Sequence, residues 1–315
     1  MNISFQEIQS AVKEIDREAQ FIGNVSDNYL VASIFHPVVG GFYFSLGPVP
    51  EWADELTGLF VVANHMRSRV HTQSDFALLL TEKEPQFVYY SILEKVFKIQ
   101  SSGSVSEHSI ISQNAVIAEN VEIGPYCVVK NDVSIGPGSI IGSHCVIESG
   151  TTIGAGTRLD VGCHVGAQGV AWVWDELGDK KVQQVQLGGV NIGANCFLGS
   201  GSTVVRGSLN ETTEIGFGTL LAPGCKIGHG CNIGRLVHMA NGVLLAGNVQ
   251  VGEKAFIGSG AVIRPRVRVD AGTVVAAGAV VVKNTSRPGV LLVGVPARER
   301  EIEKEMHGVP RSREV

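Results

Sequence analysis

Aromatic side chains are few: Phe, Trp and Tyr together make 6% of the 315 residues, and Met occurs 4 times. No apolar run reaches the roughly 20 residues needed to cross a bilayer. Met1-Asn2-Ile3-Ser4 lacks the basic and apolar regions of a secretory leader, so a cytoplasmic location is expected. Neither sign of charge dominates, with 25 Lys and Arg against 30 Asp and Glu and a net charge of −5. Nucleic-acid binding would show as a basic stripe or domain, so that class of partner is disfavoured.

What the chain does have is glycine, 39 residues of it, and a period of six. Aliphatic residues recur every sixth position from Val105 through Ile111, Ile117 and Ile123 to Val165. The pattern resumes at Ile192, Leu198 and Val204, and again from Ile215 to Val281, for twenty-six hexads in all. Six matches neither the 3.6 of a helix nor a plain run of strands, but suits short strands joined by tight corners, which is a solenoid. Gly often follows the aliphatic residue, as in Ile123-Gly124 and Ile227-Gly228, and the fifth place is small. All 6 cysteines (Cys127, Cys145, Cys163, Cys196, Cys225, Cys231) hold that fifth place. Three of them, eighteen residues apart, should stack in successive coils of a three-sided prism, close enough in principle for one bridge. Their shared inward place reads instead as small buried thiols. Eight to nine coils at roughly 4.8 Å per strand give a prism about 40 Å long.

The first hundred residues carry no hexads. Ser4-Phe5-Gln6-Glu7 has capping-box spacing and opens an amphipathic helix through Phe5, Ile8, Val12 and Ile15. Extended runs are expected at 21–25, 29–35, 42–45, 59–63 and 76–80, and a second helix over 86–97 behind Pro85. A small α/β domain, 1–104, is thus expected, a candidate for nucleotide binding, with 100–104 as linker. The solenoid should fill 105–285. It is broken at 167–190 by a loop holding Trp172, Trp174, Asp175, Glu176, Asp179, Lys180 and Lys181, and such a loop is more often functional than decorative. The bland reading is that the two tryptophans cover the prism's side. A smaller slip falls at 206–211, where Val204 and Ile215 are eleven residues apart rather than twelve. In the tail, 286–315, a short helix is expected from Arg298 to Met306, ended by Gly308.

The repeats resemble the left-handed parallel β-helix of the hexapeptide-repeat acyltransferases, whose prisms associate as trimers; the left hand comes from that resemblance alone, since parallel crossovers are generally right-handed. More narrowly, Val165-Gly166-Ala167-Gln168-Gly169, Gln186-Leu187-Gly188-Gly189-Val190-Asn191, Val205-Arg206-Gly207-Ser208-Leu209, Ile227-Gly228-His229 and Leu245-Ala246-Gly247 resemble the UDP-3-O-acylglucosamine N-acyltransferases of lipid A synthesis. Gly40-Gly41-Phe42-Tyr43-Phe44 matches that family more loosely. The resemblance implies acyl transfer from a pantetheine thioester, on acyl carrier protein or coenzyme A as co-substrate, to the amine of a nucleotide-linked amino sugar, with no permanently bound cofactor or metal.

By the same resemblance His229 is the base that takes the proton of the attacking amine, and the Gly247 amide meets the oxyanion. They lie eighteen residues apart, one coil, which sets them side by side. On position alone His229, third in its hexad, would merely face water. Phe44 matches an aromatic that stacks on uracil and Trp52 is a candidate second partner; as a core phenylalanine Phe44 would look identical. Arg206 lies in a substrate-contacting stretch, and His238 is either a second groove residue or a corner. His108, His144 and His164 read as surface corners.

Three departures leave acceptor and acyl chain open: Val205 replaces an Asp, Ala222-Pro223 replaces Asp-Asn, and Arg266 stands where a histidine is expected. Arg264, Arg266, Arg268, Arg298 and Arg300 read as a basic cluster for coenzyme A phosphates or an acidic carrier, or as solvated edges. Val293-Gly294-Val295-Pro296-Ala297-Arg298 suits short-chain, coenzyme A-dependent sugar acyltransferases equally well. Two remoter rivals are a γ-type carbonic anhydrase, which needs two histidines five residues apart that the chain lacks, and a non-catalytic solenoid.

Overall fold

The computed structural model describes residues 1–69 and 76–302, and the chain divides into two compact units, Met1–Ile99 and Gln100–Val315. In the first unit Ser4 caps the helix Phe5–Ile15: its hydroxyl accepts the Glu7 N–H at 3.2 Å, and the Glu7 carboxylate accepts the Ser4 N–H at 2.8 Å. A second long helix, Pro85–Phe97, starts with its proline at a position whose N–H has no intrahelical partner anyway.

Six strands form one sheet, ordered Asn2–Ser4, Asn28–Val31, Gly41–Phe44, Gly58–Ala63, Ala77–Thr81, Gln20–Ile22. The two edge pairings are antiparallel and the three inner ones parallel. The three central strands, Gly41–Phe44, Gly58–Ala63 and Ala77–Thr81, bury both faces, which is why they read as continuous apolar runs. Ile3, Ile8, Val12, Phe42, Leu59, Leu79, Val88 and Ile92 pack on the helical side. Tyr43, Phe60, Val62, Leu78 and Leu80 pack on the other, with Ala53 of a short helix, Ala53–Leu56. Strand Asn2–Ser4 and that helix are too short for periodicity to reveal. Gly41 is required by packing, because a Cβ there would collide with the Tyr43 ring folded over it, whose hydroxyl meets the Val38 N–H at 2.7 Å.

The second unit is a three-sided parallel β-helix of mostly two-residue strands. The first sheet runs through Ile110–Ile111, Val128–Val129, His164–Ala167, Lys226–Ile227 and Leu244–Leu245, and the second through Ser134–Ile135, Gly189–Ile192 and Asn232–Ile233. The third contains Glu122–Ile123, Leu220–Leu221, His238–Met239 and Phe256–Ile257. In the regular coils each strand pairs with the one eighteen residues on, as Ile227 with Leu245, so the aliphatic residue always lands inside. Ile227, Ile233 and Leu245 are buried, each contributing roughly 1.5–3 kcal/mol.

Two separate demands explain the glycines. A Cβ on Gly136, second in its hexad, would sit 2.6 Å from the Ala155 nitrogen of the next coil. The fourth place turns the corner through left-handed backbone: Gly162 does so at φ +72, and Asn120, Asp132 and Asn195 stand in for glycine at φ 53 to 55. The fifth-place cysteines are free and buried, and the Cys231 thiol donates to the Ala246 carbonyl at 3.1 Å. Desolvation pushes that thiol up to about 11, so it stays protonated and inert.

Two expectations change. The first coil begins earlier than 105, since the Ser104 carbonyl accepts the Ile123 N–H and Ser102 bonds Glu122; residues 100–104 belong to the solenoid and are no free linker. Residues Arg298–Arg300 form a strand antiparallel to Leu291–Val293 instead of opening a helix. That edge offers unpaired backbone groups a local helix cannot use; Glu301 and Ile302 are irregular, and 303–306 lie outside the described residues. Among the described residues no helix is long and apolar enough to cross a membrane.

Candidate active site

His229 stands at the corner between the first and second sheets, after strand Lys226–Ile227 and before Gly230, which turns at φ +64. Gly247 holds the same third place one coil on, and the His229 carbonyl accepts the Asn248 N–H at 2.7 Å. The imidazole lies over Gly247. A Cβ there would be 2.7 Å from Cε1 and 2.8 Å from Cδ2, and nearest of all to Nε2, so only glycine fits beneath the ring. Arg266 holds the fourth place of the following coil, exposed, with its N–H on the Gly247 carbonyl at 3.0 Å.

The other ring nitrogen is engaged: Nδ1 lies 3.1 Å from the Ser208 hydroxyl. Ser208 belongs to 206–211, which is no slip of one residue: Val204 lies on the first sheet and Ile215 on the second, so five residues are inserted at a single corner, the same one that holds His229 one coil on. Thr213 ties this loop to the site, donating to the Val205 carbonyl at 2.7 Å and accepting the Gly230 N–H at 2.9 Å. The inserted segment also packs on the neck of the larger loop, with Leu187 N–H on the Ser208 carbonyl at 2.5 Å and Gly207 N–H on the Gly189 carbonyl at 3.1 Å.

Arg206 is the clamp of this assembly and does not reach into open space. Its Nε donates to the Gly188 carbonyl at 2.8 Å and its Nη2 to the Ser149 carbonyl at 2.7 Å, which corrects its expected role as a substrate contact. Buried Gln186 completes the neck by accepting the Gly169 N–H. Beyond the neck, Trp172–Trp174 and Lys181–Gln183 pair as an antiparallel ribbon whose turn is built by the Asp175 carboxylate accepting the Asp179 and Lys180 N–H groups. Trp172 and Trp174 are 50% and 54% exposed and flank the Lys181 ammonium at 5.2 and 5.7 Å, so they do not cover the prism.

The repeat signature of the bacterial transferase hexapeptide family (six repeats) matches residues 114–149 and 248–283. Among solved structures, LpxA from Acinetobacter baumannii is 28% identical, with a TM-score of 0.55 over 62% of this chain and 73% of that one. The UDP-N-acetylglucosamine acyltransferase of Francisella novicida is 26% identical, TM-score 0.56, over 62% and 68%. That of Campylobacter jejuni is 26% identical, TM-score 0.54, over 62% and 74%. No curated protein matches the sequence significantly. The chain carries hexapeptide-transferase repeats over these two stretches and shares the fold of these acyltransferases.

Such repeats build left-handed coils, and the three-sheet solenoid of this chain is of that class. Its other candidates disperse. His238 points outward from the third sheet between Leu220 and Phe256, its ring 5.2 Å from the Phe256 ring, and desolvation holds its pKa below the ordinary 6.5. Ala222 and Pro223 turn the corner from the third sheet to the first, a different corner from that of His229. Phe44 packs on Tyr89 and Tyr90 at the helical side of the N-terminal sheet, while Trp52 packs on Tyr43 and Phe60 at the other side. Strand alternation sends neighbours Tyr43 and Phe44 to opposite faces, so Phe44 and Trp52 cannot clasp one base between them.

The five arginines form no single cluster. Arg264, Arg266 and Arg268 follow one another through the corner beyond Gly247, with Arg268 paired to Asp270 at 3.0 Å, whereas Arg298 and Arg300 lie on the edge strand of the third sheet. Among the described residues no three His, Cys, Asp or Glu side chains are grouped to hold a metal ion. Sequence reasoning missed Ser208. The eleven-residue spacing was the available signal, because eleven residues where six carry the chain from one sheet to the next leave five to bulge at that corner.

Proposed function

We propose that this chain transfers an acyl group from a pantetheine thioester to the amine of a nucleotide-linked amino sugar at the corner where His229 covers Gly247. The observation that carries the reading is that Nε2 is presented over a glycine backbone while Nδ1 is occupied. The amine attacks the thioester carbon and His229 Nε2 takes its proton, while the Gly247 N–H receives the oxyanion. Collapse breaks the C–S bond, and the leaving thiolate takes the proton from the imidazolium. The products are an amide and a free thiol.

Acyl carrier protein or coenzyme A would bring the donor, and these reactants belong to the cytoplasm. The outward row of the second sheet is polar (Ser134, Thr152, Asn191, Glu214, Asn232, Gln250). That of the third is largely apolar (Ile140, Phe197, Leu220, Phe256), and so is much of the first (Ile110, Val128, Val146, Leu244, Val262, Val280). Two adjoining apolar faces on each prism suit a closed homotrimer in which a first-sheet face meets a third-sheet face. His238 would then look into a groove lined by the neighbour's His229 corner. A hydroxyl acceptor is the second reading, favoured by the similarity to UDP-N-acetylglucosamine acyltransferases.

Thiol release tests this. Acetyl-, hydroxybutanoyl- and hydroxymyristoyl-thioesters, on coenzyme A and on carrier protein, are offered with UDP- and dTDP-linked amino sugars and with UDP-N-acetylglucosamine. Turnover confined to amine acceptors supports amide formation; turnover with only the N-acetylated sugar assigns ester formation. Absence of release with every pair sinks the transfer reading and leaves a binding solenoid.

A further inference from the structure

The one hydroxyl at the His229 ring comes from a loop that the repeat does not require. A regular coil passes from the first sheet to the second in six residues, as from Ile227 to Ile233; from Val204 to Ile215 this one takes eleven, and the five extra residues bulge at the His229 corner. The bulge is held from several sides. Arg206 donates to two carbonyls, the Ser208 carbonyl receives the Leu187 N–H, and Thr213 bridges the Val205 carbonyl to the Gly230 N–H. The hydroxyl is therefore delivered to Nδ1 by a preorganised frame.

Resting on the acyl-transfer reading, we infer that Ser208 is a positioning residue for His229, accepting Nδ1–H so that Nε2 is the unprotonated nitrogen aimed over Gly247. A neutral imidazole carries its proton on one nitrogen only, and the partner of the other decides which. Were Nε2 protonated, it could not take the amine's proton. The serine also stops rotation about the Cβ–Cγ bond, which would swing Nε2 off Gly247. The chain Arg206, Ser208, His229 links the neck of the 167–190 loop to the basic nitrogen.

The test combines ring-nitrogen NMR of ¹⁵N-labelled histidine with thiol-release kinetics on the full chain, in Ser208→Ala, Ser208→Thr, His229→Ala and the double variant Ser208→Ala/His229→Ala. The His229 signal is identified by its loss in His229→Ala. The expected result is that Ser208→Ala shifts the Nδ1 and Nε2 signals of His229 alone and lowers kcat about 10-fold, a fraction of the general-base contribution, with KM unchanged. Ser208→Thr keeps the hydroxyl and restores both readouts, and in the His229→Ala background the serine change costs nothing more. Unmoved His229 signals in Ser208→Ala, a full kcat there, or a loss that Ser208→Thr does not repair overturns the inference. The NMR readout needs no turnover, so the two readings fail differently. An active His229→Ala, or a wild type that releases no thiol, removes acyl transfer at this corner and the positioning role with it. An inactive His229→Ala beside a fully active Ser208→Ala removes the role of Ser208 alone.

Discussion

From Val105 to Val165 the coils turn their corners without interruption, and from Val165 to Leu245 they are interrupted twice. The uninterrupted stretch also carries histidines at a corner. His108 and His144 stack on Tyr126 at 5.8 and 5.1 Å, in a ladder that repeats every eighteen residues. At the interrupted corner a histidine one place earlier in its own hexad meets a hydroxyl on one nitrogen and a bare glycine on the other. A regular repeat can bring like to like, because each side chain sees the same position one coil away. Chemistry needs unlike groups together, and the two insertions deliver them.

The comparison breaks most sharply at its centre. His229→Ala should lower thiol release by about 10²-fold or more while leaving the melting temperature near wild type, since the side chain is not core. His144→Ala should leave release unchanged. Equal effects from the two would erase the distinction between the corners. Next comes Gly247→Ala, whose Cβ would occupy the space of the His229 ring. Displaced imidazole and disturbed oxyanion geometry should reduce kcat by about 10²-fold, with the protein still folded because a side chain and not backbone must yield. An active Gly247→Ala would show that the ring need not lie there.

A smaller effect is expected from Arg206→Met, which removes two charge-assisted bonds to carbonyls while keeping most of the apolar stem. About 2 kcal/mol of stability should be lost in urea titration, and protease cleavage should rise within 168–186. Unchanged cleavage would mean that the neck stands without its clamp. The smallest effect concerns His238. Its folded pKa lies below the ordinary 6.5, so it binds fewer protons folded than unfolded, and its presence should lower stability as pH falls through that region. His238→Phe should therefore lose less of its urea midpoint than wild type between about pH 7.5 and about pH 5.5. Identical losses would show that desolvation of this ring is not felt in the fold.

Much of the architecture was legible because its causes are local. The capping box at Ser4 and Glu7, the proline opening the second long helix, and the hexads themselves each declare an element within a few residues. The nearness of His229 and Gly247 was legible for the same reason: eighteen residues are one turn, and arithmetic replaces geometry. Arg206 was misread because its partner carbonyl on Ser149 lies 57 residues away across a coil boundary. Phe44 and Trp52 were misread because a stacking aromatic and a core aromatic carry the same letters, and only the pleat of the sheet shows that they face apart.

The sequence by itself determined a three-sided solenoid, a separate α/β unit ahead of it, and a histidine set one coil from a glycine, since period and propensity are written residue by residue. Tertiary structure decided which hydroxyl meets that histidine, which arginine holds backbone instead of substrate, and how the two tryptophans flank a lysine on an exposed ribbon. Those outcomes depend on where two irregular loops come to rest against each other. No period predicts that, because each loop's place is set by hydrogen bonds to residues that are distant in the chain and adjacent only after folding.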